Sequence, residues 1–184
     1  LESNPGFKIT LKSFIRIAYA GVFGDILMRC VYRMRPYELE SGKVNEIHQK
    51  WVKICSEFVS SKKLPSHRKF KSYCRQMIEE FDLIPINEVR KPRVGVVGEI
   101  LVKFAPAANN YLVELLEAEG AEAVVPDLID FLLYCFYNQL YKAEHLGTSK
   151  KTARTSKLGI WAVEKLRGAA HKAFEKSTHF DPPA

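Results

Sequence analysis

Two short runs, Arg93-Val94-Gly95-Val96-Val97-Gly98 and Ala121 to Val125, bracket a single helical pattern. This spacing constrains the chain more than any other feature. Strand, helix and strand in so few residues form a βαβ unit, which pairs its strands in parallel through a right-handed crossover. The β-branched first run suits a buried strand. A loop is expected from Glu99 to Ala107, with Pro106 near its end and Asn109 or Asn110 capping the next helix. Tyr111, Leu112, Leu115 and Leu116 fall on that helix's inner face, Gly120 ends it, and Pro126 closes the second strand.

Around this unit the apolar period is helical. From Phe7 to Arg35, Leu11, Phe14, Ile15, Ala18, Val22, Ile26 and Cys30 recur at steps of three and four, as in an amphipathic helix. Gly21 and Gly24 predict a kink in its middle, and Pro36 a stop. Val44, Ile47, Trp51, Ile54, Cys55 and Phe58 mark a second helix over 43–59. After the Leu64-Pro65-Ser66 break, with Ser66 as N-cap, Phe70, Tyr73, Cys74, Met77 and Ile78 mark a third over 67–81. Leu128 to Tyr141 is apolar on nearly every side and predicts a largely buried helix, with Asp127 near its start. A polar, basic loop over 148–156 precedes a last helix over 157–176, anchored by Ile160, Trp161, Val163, Leu166 and Phe174, and Asp181-Pro182-Pro183 forms a frayed end. The expected fold is helix-rich α/β: a Rossmann-like βαβ unit with a small parallel sheet, preceded and followed by helices. Its divisions are a helical region over 1–90, the unit with its following helix over 91–145, and a basic C-terminal helix over 146–184, together one incomplete domain of a larger protein.

Composition narrows the function classes. With 47% hydrophobic and 27% charged residues, the chain is of ordinary globular makeup and long enough for a real core. The most apolar stretches are Phe14 to Val31, interrupted by Arg16, Asp25 and Arg29, and Leu128 to Tyr137, half the ~20 residues a spanning helix needs. Neither is a membrane span. The chain begins at Leu1 with no signal-peptide pattern, and the expectation is a piece of something longer. Cys30, Cys55, Cys74 and Cys135 are scattered among apolar neighbours, which reads as buried free thiols in a reducing, cytoplasmic compartment. The net charge of +7 concentrates in Lys62, Lys63, Arg68, Lys69, Lys71 and Arg75 and again from Lys142 to Lys176. Such a face could attract nucleic acid, a phosphate-bearing ligand or an acidic partner, and the plainer reading is a solvated helical surface.

Ligands of open α/β sheets bind beyond the carboxyl ends of the strands. Gly98, Glu99, Pro106, Asn109 and Asn110 lie there after the first strand, as does Asp127 after the second; the plainer role for Asn109 and Asp127 is capping. Arg33, Arg35 and Glu38 crowd the turn where the first helix ends. Its arginines could grip a carboxylate or phosphate, or satisfy the last helix carbonyls and pair with Glu38 or Glu40. Gly95-x-x-Gly98 lacks the third glycine of a dinucleotide fingerprint, and the chain holds no phosphate-loop motif. Its five histidines share no ligand spacing, so no metal site is expected.

Gly24-Asp25-Ile26-Leu27-Met28-Arg29 leading into Arg33-Met34-Arg35-Pro36-Tyr37-Glu38 resembles a segment of the large activase proteins related to 2-hydroxyglutaryl-CoA dehydratase. So does Gly95-Val96-Val97-Gly98-Glu99-Ile100 followed by Pro106, Asn109 and Asn110, then Glu119-Gly120-Ala121 and Val125-Pro126-Asp127, and the 130–138 run. The resemblance covers about residues 14–138. It implies a parent protein in which ATP hydrolysis drives an electron through [4Fe-4S] clusters to a 2-hydroxyacyl-CoA, and dehydratase-like regions with Rossmann-like subdomains. The family's cluster cysteines belong to a segment that this sequence does not contain, and the ATP-binding motifs are missing as well, so no catalytic role passes to any residue here. The expectation is a non-catalytic piece of an activase or 2-hydroxyacyl-CoA dehydratase-like protein that needs no cofactor of its own, while its parent needs ATP and a [4Fe-4S] cluster. Its partners would be the parent's other domains, a CoA thioester and, through an exposed apolar patch, a second copy. A basic nucleic-acid-binding or protein-interaction module ranks behind it, and an autonomous enzyme with Glu99 and Asp127 as acid and base ranks third.

Overall fold

A computed structural model describes residues 10–147 and 149–180. The expected helix start at 7–9 and the frayed end at 181–183 lie outside the described residues. The long first helix, α1 (Leu11–Met34), is capped by Thr10, whose Oγ1 accepts from the Ser13 N–H at 3.1 Å. It runs through Gly21 and Gly24 as one helix without a break. Gly21 is there for a close approach: a Cβ would sit 3.1 Å from Cδ1 of Ile129 on a neighbouring helix. Pro36 then opens a 3-10 turn (Arg35–Tyr37), where its missing N–H costs nothing.

Helices α2 (Lys43–Ser60) and α3 (His67–Asp82) pack on α1 much as their periods predict. Ser66 caps α3 as expected. Tyr19, Phe23, Phe58 and Phe70 meet mostly edge to face, with Phe70 4.6 Å from the Tyr19 ring and 4.9 Å from Phe23. Trp51, Met77, Phe81 and the thiols of Cys30, Cys55 and Cys74 complete this core.

Beyond it, β1 (Arg93–Gly95) and β2 (Glu122–Val124) pair in parallel, Val94 opposite Ala123. The parallel pairing agrees with the βαβ reading, and the fold is helix-rich α/β with a two-stranded sheet among the described residues. Strand β1 is shorter than expected and exposed rather than buried, because no helix among the described residues lies over it; Val96 just beyond is the residue that turns inward. The expected 99–107 loop is mostly helical: Glu99 caps a short α4 (Ile100–Phe104), and Pro106 opens another 3-10 turn (Pro106–Ala108). Helix α5 (Leu112–Ala118) buries Val113 and half-buries Leu112 and Leu116, while Tyr111 and Leu115 face outward, so its inner face is rotated from the one expected.

The last two helices, α6 (Leu128–His145) and α7 (Lys150–Phe174), pack on each other and on α1. Helix α7 absorbs most of the expected 148–156 loop, since Ser149 caps it and nothing between Lys150 and Ser156 breaks a helix. Gly159 accommodates the Phe136 ring, which a Cβ would meet at 2.7 Å. Helix α6 is not largely buried. Only Ile129 and Leu133 are, while Phe131, Tyr134, Tyr137 and Tyr141 are exposed. Among the described residues no helix is long and apolar enough to cross a membrane.

Candidate functional site

The second half of α1 carries Asp25, Arg29 and Arg33 at four-residue steps, on one face of the helix. That face meets β2 and the start of α6, and the junction encloses a cleft of about 340 Å³ beyond the carboxyl end of β2. Arg29, Tyr32, Arg33, Arg93, Glu122 and Asp130 line it.

Glu122 is the centre of this arrangement, only 2% exposed although it sits in a strand between two alanines. Its Oε2 accepts from Arg33 Nη1 and, at 2.8 Å, from the Tyr37 hydroxyl; Oε1 pairs with Arg93 Nε at 3.0 Å. Arg33 also donates Nε to the His179 carbonyl at 3.2 Å. One turn earlier, Arg29 Nη2 holds Asp127 Oδ2 at 2.9 Å. Asp130 pairs with Arg167 at 3.0 Å. Each guanidinium of the cleft thus faces a carboxylate of the chain itself, which a buried charge requires.

Asp25 does what Asp127 was expected to do. Its two carboxylate oxygens accept from the N–H groups of Leu128 and Ile129 at 2.8 and 2.9 Å, so α1 caps α6. Asp127 occupies the N-cap position but makes no capping bond through its side chain. Burial pushes the Asp25 carboxyl up to about 7, with the charge of Asp127 adding to it and the two backbone donors pulling the other way. Burial also raises Asp127, against the pull of Arg29.

The other expected residues divide between two places. Arg35 forks onto Glu117 of α5 through Nε at 2.7 Å and Nη2 at 3.0 Å, rather than onto Glu38 or Glu40. Glu38 instead takes the N–H groups of Gly42 and Val44, both at 2.8 Å, and so caps α2. Gly98, Glu99, Pro106, Asn109 and Asn110 form their own loop cluster. Gly98 has φ +142, and Glu99 Oε2 accepts the Leu101 N–H at 2.8 Å. The Pro106 carbonyl accepts from the Asn109 and Tyr111 N–H groups. Asn109 donates Nδ2 to the Val102 carbonyl at 2.7 Å and accepts the Leu112 N–H at 3.1 Å. Asn110 and Tyr111 are left-handed, with φ 56 and 55. Glu99 lines neither the cleft nor the small cavity beside Asp127, so the two carboxylates do not share a pocket.

Reasoning from sequence missed Asp25, Arg29, Tyr37, Arg93 and Glu122. The first two were visible as interruptions of an apolar helix and inside a motif given no role, and Glu122 as a lone acid inside a strand run. Three of the four thiols do not suit a cluster ligand as they stand. Cys30 and Cys74 are wholly buried in the helical core and burial holds both thiols far up, while Cys55 is pushed up to about 12. Among the described residues no three His, Cys, Asp or Glu side chains gather to hold a metal ion. Comparison with protein-family models, with curated proteins and with solved structures returns no match.

Proposed function

We propose that the chain is a non-catalytic scaffold of a larger protein of the 2-hydroxyacyl-CoA dehydratase activase type. In this reading a Rossmann-like βαβ unit is carried on a helical base and turns its open side toward the parts of that protein that hold the clusters and the acyl-CoA. The observation that carries it is the open side: β1 is exposed, Val97 beyond it is 79% exposed, and α6 presents Phe131, Tyr134, Tyr137 and Tyr141. An unpaired strand edge and a helix face of exposed rings are each a surface that folded chains normally cover. The internally neutralised cleft supports the same reading, since its arginines Arg29, Arg33 and Arg93 are already occupied by Asp127 and Glu122 of the chain itself.

Paired anaerobic iron–sulfur reconstitutions, on this chain and on its full-length parent, test the proposal through visible absorbance and iron content. The expected result is a cluster on the parent and none on this chain. A stoichiometric cluster on this chain overturns it.

A further inference from the structure

The two basic stretches of the sequence converge. Helices α3 and α7 lie side by side, and the groove between them, about 490 Å³, is lined by Arg68, Lys71 and Arg75 from one and Lys172 and Lys176 from the other end of the chain, with the single acid Glu175 between the last two. Its floor is small: Ser72, Ala169 and Ala173. All five cations are exposed. Arg75 shares Glu79 at 3.4 Å; among the described residues, Arg68, Lys71, Lys172 and Lys176 have no carboxylate within ion-pair distance.

Helix electrostatics account for only part of this. Lys172 lies in the last turn of α7 and Lys176 just beyond it, where cations complement the helix dipole. Arg68 and Lys71 do the reverse. They occupy the first turns of α3, which has no acid in its first turn, so their charges oppose its dipole. Positive charge kept where it weakens its own helix calls for a compensating anion. His67 feels the same field: burial lowers its pKa first, and Lys71 and Lys165 lower it further.

We propose that the α3–α7 groove is a docking site for an acidic polypeptide segment. The spacing favours it. Arg68, Lys71 and Arg75 stand at i, i+3 and i+7, and Lys172 and Lys176 at i and i+4, so the cations form one row about 10 Å long and a second of about 6 Å. Rows of that length match carboxylates repeating along a peptide better than one compact phosphate. No aromatic ring is among the lining residues, which removes the stacking platform that single-stranded nucleic acids use. The small floor leaves room for a backbone between the rows. This site is separate from the open side of the βαβ unit and does not depend on the family reading.

The test is fluorescence anisotropy with a labelled oligoglutamate peptide of about 12 residues, long enough to follow the groove in helical or extended form. Binding is expected to weaken about tenfold or more between ~50 and ~200 mM NaCl. The double variant Lys71→Glu/Lys172→Glu should lose about tenfold or more in affinity, while Lys150→Glu/Lys151→Glu, the same charge change outside the groove, should stay within about twofold. Circular dichroism melts establish that both variants are folded. Should the Glu pair unfold the chain, Lys71→Gln/Lys172→Gln replaces it, with a loss of about threefold or more expected. Equal losses in the groove and control variants overturn the proposal. So does tighter binding of a duplex oligonucleotide or inorganic phosphate than of the peptide.

Discussion

Around Phe70 the chain buries ring on ring: Tyr19, Phe23 and Phe58 close in, and three thiols fill the gaps between α1, α2 and α3. Around Glu122 it buries a carboxylate beneath a phenol and two guanidiniums, and the apolar cluster of the βαβ unit amounts to Val96, Val113, Ala123 and Val125 with a few half-buried neighbours. The first region is held by non-directional burial that tolerates rearrangement; the second depends on a few directional charged bonds. A sheet of two strands buries too little to hold itself and borrows its hold from the basic end of α1.

The sharpest way to separate the two regions is to damage each alone. Phe70→Ala should cost about 3–5 kcal/mol, the range for emptying a ring from a sealed core, read as a shift in the urea midpoint followed by Trp51 fluorescence. A loss below about 1 kcal/mol would mean the helical core is looser than its packing shows. Glu122→Gln keeps the shape but leaves Arg33 and Arg93 facing a neutral amide, and should cost about 2–4 kcal/mol; the half-exposed arginines keep it under the figure for a sealed pair. Hydrogen exchange should then quicken for the amides of 93–125 while α2 and α3 stay protected. If protection falls equally everywhere, the two regions are one cooperative unit and the contrast is broken.

The most gradual effect, spread over pH, concerns the bond that ties the regions together. The Asp25 carboxyl, raised from 3.8 to about 7, keeps a proton in the folded chain that the unfolded chain has released. The folded state therefore binds more protons between those values, and stability falls as pH rises from about 4 to about 7. Asp25→Asn should flatten that slope by up to about 1.4 kcal/mol per pH unit, measured as urea midpoints across the window. Identical slopes in both proteins would show that Asp25 is ionised throughout.

The period of apolar residues made α2 and α3 legible almost to the residue, and the two short runs around one helical pattern disclosed the parallel pair. These are local patterns, and local patterns survive in one dimension. What a carboxylate pairs with does not. The Arg33 and Arg35 pairs cross 89 and 82 residues, and nothing near either arginine distinguishes Glu122 and Glu117 from Glu38 or Glu40. Helix α6 failed for another reason: a helix apolar all round gives no sign of which face is covered, and here Tyr134 and Tyr141 are not. The two basic stretches were each visible, but only packing α7 along α3 makes them one groove.

The cap that Asp25 places on α6 crosses 103 residues. In a chain made from its N-terminus, the acceptor exists long before its donors. Until Leu128 and Ile129 arrive, the carboxylate must be hydrated, and it stands in the middle of a helix whose neighbours Val22 and Ile26 already favour burial. α1 can therefore begin to pack on α2 and α3 as soon as they are made, yet it cannot finish drying its last face until the second half of the chain has emerged. The order of synthesis leaves that face wet and open for the length of the βαβ unit, and closes it with the first turn of α6.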